Sequence, residues 1–225
     1  QAKGEWTWEA FEAFCEKLTR DTDNDGVIDR YAMMSFSSHL LPAALVSNGA
    51  GFVQVDENGK YYNAAETDAF LEAMNWVMDM VSKYEMKPPD GAEWNYFESA
   101  FINGEVALQV HEDYFAGSLA NMEDDYGFVF FPKGPRAKTY LYAPSDNIMV
   151  IPACYDADRA WKIAFAYNLF TNPTPGYTDS DDWKNGYYQK YRDERAVDET
   201  ITMMREPEHQ FVWYSDMVTG YDLGS

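Results

Sequence analysis

Between Ala65 and Tyr84 the chain carries Phe70, Leu71, Met74, Val77, Met78 and Val81, at i, i+1, i+4, i+7, i+8 and i+11. That spacing predicts an α-helix with an apolar stripe, and such a stripe needs a second layer to cover it. The flanking sequence offers one. Thr7 is a predicted cap for a helix whose apolar positions Trp8, Phe11, Cys15 and Leu18 recur every three or four residues, with Glu9 near its positive end, stopping near Arg20. A further helix is expected around Leu40 to Ser47, before the turn Asn48-Gly49-Ala50-Gly51. Phe52–Val55 and Lys60–Tyr62 flank Asp56-Glu57-Asn58-Gly59, a hairpin signal.

Further along, Trp94, Phe97 and Phe101 mark a helical stripe closed by Gly104, and Val106, Leu108 and Val110 alternate as a strand. Asp113 to Met122 reads as helix, Tyr126 to Phe131 as a buried strand ending at Pro132-Lys133-Gly134-Pro135, and Ile148 to Ile151 as another. A helix from Asp156 or Asp158 carries Ala160, Trp161, Ile163, Ala164, Tyr167 and Leu169 toward Asn172, and one more is expected near Arg195 to Arg205. A polar, turn-rich loop lies between them, over Pro173 to Gly186. Helices and strands in irregular order indicate an α/β chain.

At 225 residues the chain is long enough for one large domain or two lobes of about 100 residues. It bears 17 Lys and Arg against 38 Asp and Glu, a net charge of −21, which repels phosphate backbones and excludes nucleic acid as a partner. The longest apolar stretch, Leu40 to Val46, contains Pro42 and is far short of the ~20 residues of a membrane span. Residue 1 is Gln with no basic, apolar or lipobox-like leader, and Phe211 to Tyr221 lacks a closing cap, so both ends read as cut. Cys15 and Cys154 read as two buried free thiols, with one long-range disulfide as the alternative.

His39, His111 and His209 are far apart and show no HExxH spacing, which argues against a zinc enzyme. Nucleophile-elbow, P-loop and dinucleotide fingerprints do not occur. The metal signal lies elsewhere. Asp21, Asp23, Asp25, the Val27 carbonyl and Asp29 stand at positions 1, 3, 5, 7 and 9 of an EF-hand-like Ca²⁺ loop, with Gly26 at position 6. Position 12, where a bidentate Glu is usual, is Ala32, so the alternatives are a weakened, structural Ca²⁺ site and a solvated acidic turn. The 17 Tyr, 14 Phe and 7 Trp exceed what one core hides, and some are expected to face a cleft where flat rings stack on sugars. Glu112, Asp113 and Asp146 are carboxylates that acid/base chemistry could use.

Trp6-Thr7-Trp8-Glu9-Ala10-Phe11, the Asp-rich loop, Asn48-Gly49-Ala50-Gly51, Phe101-Ile102-Asn103-Gly104-Glu105-Val106-Ala107-Leu108, Tyr126-Gly127-Phe128, Phe131-Pro132-Lys133-Gly134-Pro135 and Ala160-Trp161-Lys162 occur in an order that covers most of the chain. Together they resemble the extracellular solute-binding proteins of ABC importers, in particular the sugar-binding family that includes maltose-binding protein. The resemblance implies a periplasmic-binding-protein-like fold of two α/β lobes, of which this chain is a fragment comprising mainly the C-terminal lobe plus part of the N-terminal lobe. It places residues 1–133 in the C-terminal lobe and 134–185 across the hinge in the N-terminal lobe, with 186–225 returning.

By the same resemblance Tyr114 takes the place of a sugar-stacking aromatic, often Trp, and His39 stands where the family has another aromatic contact. Ser145, Asp146 and Asn147 occupy a turn facing the cleft, His111, Asp113 and Asp146 join His39 in hydrogen-bonding hydroxyls, and the Asp21–Asp29 loop is of a kind that binds calcium away from the ligand. The implied protein is a monomer, extracellular or periplasmic, secreted or anchored as a lipoprotein. It captures a sugar or oligosaccharide for a membrane permease and changes no bond. The rival expectations are a carbohydrate-active enzyme pairing Glu112 or Asp113 with Asp146, and an interaction module without a competent site.

Overall fold

The computed structural model describes residues 1–120, 122–144, 149–172 and 181–218, the side chains of Ser37, Asp216 and Met217 excepted. Helix α1 (Trp8–Leu18) begins at the predicted cap, where Thr7 Oγ1 accepts from the Ala10 amide at 3.4 Å. Helix α2 (Ser37–Ser47) follows the Asp-rich loop and ends where Gly49 takes φ +71°, a conformation glycine adopts without strain. Strands β1 (Val53–Val55) and β2 (Tyr61–Asn63) form the expected hairpin, with Gln54 opposite Tyr62. Helix α3 (Asp68–Tyr84) packs on α1 and α2.

The face that α3 buries differs from the expected one. Phe70, Ala73 and Met80 are buried and Trp76 and Val77 half-buried, whereas Leu71, Met74, Met78 and Val81 are 46, 40, 62 and 41% exposed. The cause is packing that periodicity does not weigh. Trp76 stacks on Trp8 at 4.4 Å with 12° between the rings, and Ala73 and the equally inaccessible Ala44 join the same cluster, so small side chains let the helices approach.

Behind these helices, residues 31–34 run between two extended segments. The Met86 amide donates to the Met33 carbonyl at 2.9 Å, and Leu108 forms a parallel bridge to Met33 from the other side. Val106 to Val110 is therefore extended but bridges only at Leu108, and Tyr126 to Phe131 is extended without a ladder of its own. Among the described residues only β1 and β2 make a sheet. Helix α4 (Tyr96–Ile102) leaves Trp94 outside it, 74% exposed. Asp113–Leu119 is a tighter 3₁₀ helix rather than an α-helix reaching Met122.

One apolar stretch expected inside lies outside, and the apolar helix that follows it is uncovered. Ile148 falls outside the described residues, and Met149, Val150 and Ile151 are exposed. Helix α5 (Ala157–Thr171), capped by Asp156, buries none of its residues, and Trp161, Tyr167 and Leu169 are 62, 46 and 58% exposed. Helix α6 (Lys184–Tyr188) precedes a π-helical turn, Ala196–Ile201, whose Val197 and Ile201 close a separate small core with Tyr191. Both cysteines are free, but only Cys15 is buried. Burial and then the charge of Glu12 push its thiol up to about 12, whereas Cys154 is exposed, contrary to expectation.

Asn48 joins the layers. Its Nδ2 donates to the Ala69 carbonyl at 3.0 Å and to Glu72 Oε2 at 3.1 Å, and its Oδ1 accepts from the Arg136 amide at 3.0 Å. Gly134 passes so close that a Cβ there would stand 2.6 Å from Asn48 Oδ1 and 2.8 Å from its Cα. Gly134→Ala should therefore lower unfolding stability by about 1–3 kcal/mol in chemical denaturation. Gly117→Ala, whose methyl meets nothing within 4 Å, is the control and should change it far less.

Candidate functional site

Three elements converge beside the start of α2. Phe36 and His39 lie at the helix entrance, the extended segment leading to His111 and Glu112 runs alongside with the Val110 amide donating to Ser35 Oγ at 3.1 Å, and α4 brings Phe97 and Glu98 from the opposite side. The rings form one connected floor. Phe36 packs on Phe97 at 5.4 Å and on His39 at 5.3 Å, His39 meets His111 at 4.9 Å, and His111 stacks on buried Phe115 at 4.1 Å. Two aromatics rise from it into solvent: Trp94, 6.1 Å from Phe36, and Tyr114, 5.6 Å from His111 and 67% exposed.

The polar atoms on this floor are fixed by their neighbours. His39 Nδ1 lies 3.3 Å from the Val110 carbonyl, which can only accept, so Nδ1 carries the hydrogen and Nε2 faces Glu112 Oε1 at 3.5 Å. Burial pulls the His39 pKa below its ordinary value, against the opposing pull of Glu112. His111 Nδ1 is 2.8 Å from Glu112 Oε2 and 2.9 Å from the Glu112 amide nitrogen. These two neighbours make opposite demands on one atom, and the charge-assisted bond to the carboxylate is the stronger. That bond, more than any other influence, draws the Glu112 carboxyl down to about 2.

Of the residues expected to bind ligand, the fold brings His39, His111 and Tyr114 together. Asp113 is half-buried and turned toward another cluster: its carbonyl accepts from the Tyr191 hydroxyl at 3.0 Å, and its charge, after burial, pushes the Tyr191 phenol up. Ser145, Asp146 and Asn147 lie outside the described residues. His209 serves structure, buried with Nδ1 2.8 Å from the Tyr140 carbonyl and 3.0 Å from Thr139 Oγ1. Glu98 lies beside these rings although the sequence did not single it out, and Trp94, one of the many aromatics of which some were expected to face a cleft, sits directly before Asn95, outside the helix to which periodicity assigned it. A cavity of about 770 Å³ adjoins the floor, running from His111 and Glu112 between the two extended segments, with Leu108, Phe128 and Phe130 on its mostly apolar wall.

In the Asp-rich loop, Asp21, Asp23 and Asp29 bring carboxylate oxygens within 4.8 Å of one another. Asp21 accepts from the Asn24 amide at 2.7 Å and the Gly26 amide at 2.8 Å, while Asp25 accepts from the Val27 amide at 2.7 Å and stands apart from the other three. Ala32, at the twelfth position, is fully buried and supplies nothing.

The family described as bacterial extracellular solute-binding protein matches residues 2–167. The chain belongs to this family. Its fold is thus the periplasmic-binding-protein-like α/β fold of that family. Among solved structures it is similar to the maltose/maltodextrin-binding domain MalE from Bdellovibrio bacteriovorus bound to maltotriose, at 17% identity and a TM-score of 0.46. That match covers 58% of this chain and 33% of the other, so the chain spans about a third of its length. A search of the curated proteins returns no match.

Because the Glu112 pKa is depressed, its share of stability is complete above the ordinary value of 4.5 and is lost as pH falls toward about 2. An NMR titration of the Glu112 carboxyl carbon should show its midpoint near 2, and His111→Ala should return it toward 4.5. A wild-type midpoint at the ordinary value would refute the pairing.

Proposed function

We propose that the chain captures a sugar or oligosaccharide in the groove between Trp94 and Tyr114 and delivers it to an ABC-importer permease. The observation that carries this reading is two solvent-facing aromatic rings over a floor of His39, His111 and Glu112, in a member of a solute-binding family. Rings of this kind cover the apolar faces of a sugar while imidazole and carboxylate groups take its hydroxyls. Asp146 and Asn147 are further hydroxyl partners in this reading, whereas Asp113 is turned to the Tyr191 cluster.

Residues 1–133 form the C-terminal-lobe segment, 134–185 cross a hinge into the N-terminal lobe, and 186–225 return. The uncovered apolar positions of α5 support a second lobe packing against it. Closure of the lobes selects the transport-competent state, no bond of the solute changes, and the protein works as a monomer outside the cytoplasmic membrane, secreted or lipid-anchored. The Asp21–Asp29 loop holds a structural Ca²⁺ through Asp21, Asp23 and Asp29, with Asp25 and the Val27 carbonyl completing it. The convergence of three carboxylates supports this, and the missing twelfth-position ligand makes it a weak site.

A thermal-shift screen of mono- and oligosaccharides should find a stabilising ligand, worth ~2.7 kcal/mol at a hundredfold excess over Kd, that is recovered intact by chromatography. Tyr114→Ala and Trp94→Ala should each remove roughly 0.5–1.5 kcal/mol of binding beyond the lost area. A product in the recovered ligand would favour the enzyme reading instead.

EDTA should lower the melting temperature and Ca²⁺ restore it, and Asp21→Asn should abolish that response. A melting temperature indifferent to both would leave a plain acidic turn.

A further inference from the structure

We propose that His39, His111 and Glu112 form a binding site for a divalent cation of the zinc class on the floor of the groove. The site is independent of whether the groove takes a sugar. Two imidazole nitrogens and a carboxylate oxygen come within 4.8 Å of one another, the donor set that holds zinc when a fourth position is left open. Tetrahedral zinc with bonds of ~2.0–2.1 Å spaces its ligand atoms roughly 3.3 Å apart. His39 Nε2 stands 3.5 Å from Glu112 Oε1, and His111 Nδ1, 2.8 Å from Glu112 Oε2, joins the set by releasing the hydrogen it shares with that carboxylate, as imidazole ligands do when a metal binds.

The surrounding shell suits a metal as well. The hydrogen bond from His39 Nδ1 to the Val110 carbonyl leaves Nε2 bare, the arrangement that orients most zinc-bound histidines. In the neutral ring Nε2 opposes a carboxylate oxygen at 3.5 Å, a gap that a cation between the two would bridge as a proton on Nε2 does. On the far side of the His111 ring, Nε2 faces Glu98 Oε1 at 3.9 Å, beyond hydrogen-bond length, so that carboxylate acts on the imidazole through its charge alone. His111 is held by Phe115 stacked on its face, and its side chain is 8% exposed, which fixes the ring before any ion arrives. The Asp21 cluster is different in kind, since it offers oxygen only and suits a hard cation. In the remaining cluster, Glu206, Glu208 and His209, the imidazole Nδ1 is already engaged by Tyr140 and Thr139.

The test is a calorimetric titration of Zn²⁺ into the 225-residue chain, stripped with EDTA and dialysed into buffer with Ca²⁺ and no sugar. One site is expected, weakened about tenfold or more by Glu112→Gln and by His39→Ala. Co²⁺ in its place should give the visible absorption of a four-coordinate site, absent in Glu112→Gln. The Glu112 side chain is 51% exposed, so that variant carries the test if His39→Ala fails to fold. No heat and no cobalt absorption would overturn the proposal. Zinc held equally well by both variants would also overturn it and assign the ion to the Glu206 cluster. The sugar-induced thermal shift, measured in EDTA, stands or falls separately.

Discussion

The fold turns on one buried amide. Asn48 ends α2, donates to the backbone and side chain of α3, and accepts from the Arg136 amide, so a single side chain ties two helices to a segment almost ninety positions away. Arg136 closes the circuit through its own 2.7 Å bond to Glu72. An amide at 1% exposure has to satisfy its polar atoms from within the protein, and its partners here allow one arrangement of the three segments. Gly134 leaves room for that arrangement by presenting no side chain. With α2 and α3 fixed in this way, Phe36 and His39 at the α2 entrance are placed with them.

The groove inherits its geometry from that frame. His39 leaves α2 toward the segment that Met33 anchors through Leu108, and the same segment delivers His111, Glu112 and Tyr114 a few residues later. The chemistry of the site is therefore set by backbone pairing two steps removed from it. The Val110 carbonyl decides which His39 nitrogen is bare, and Glu112 decides the polarity of the gap between the imidazoles. A floor of rigid rings beneath two exposed aromatics lets a ligand bind with little reordering of side chains.

Much of this was legible in the sequence where the signal is local. The cap at Thr7, the Asn58-Gly59 hairpin and the close of α4 at Gly104 appear as read, and of the two starts left open for α5 the structure takes Asp156, because a cap or turn is decided by a few adjacent residues. Rotation of α3 was not legible, since Trp76 faces inward only because Trp8 lies opposite. Exposure of α5 and of Met149 to Ile151 was not legible either: an apolar pattern says that a face wants cover, not where the cover lies. In the site, the meeting of His39 with His111 depends on long-range pairing through residues 33 and 108, which no spacing rule in the sequence encodes. Trp94 was legible only as one of many aromatics, and the stripe that predicts α4 put it inside a helix that begins at Tyr96.

The outward side of α3 has a chemical fate of its own. Met74 and Met78 stand in solvent there, whereas Met33 and Met80 have no accessible surface. In an oxidising environment outside the cell, sulfoxides form first where peroxide can reach the sulfur. Damage would then accumulate on that exposed flank, while the buried thioethers stay reduced. Order of oxidation would thus follow order of exposure along one helix, the outer pair before Met80.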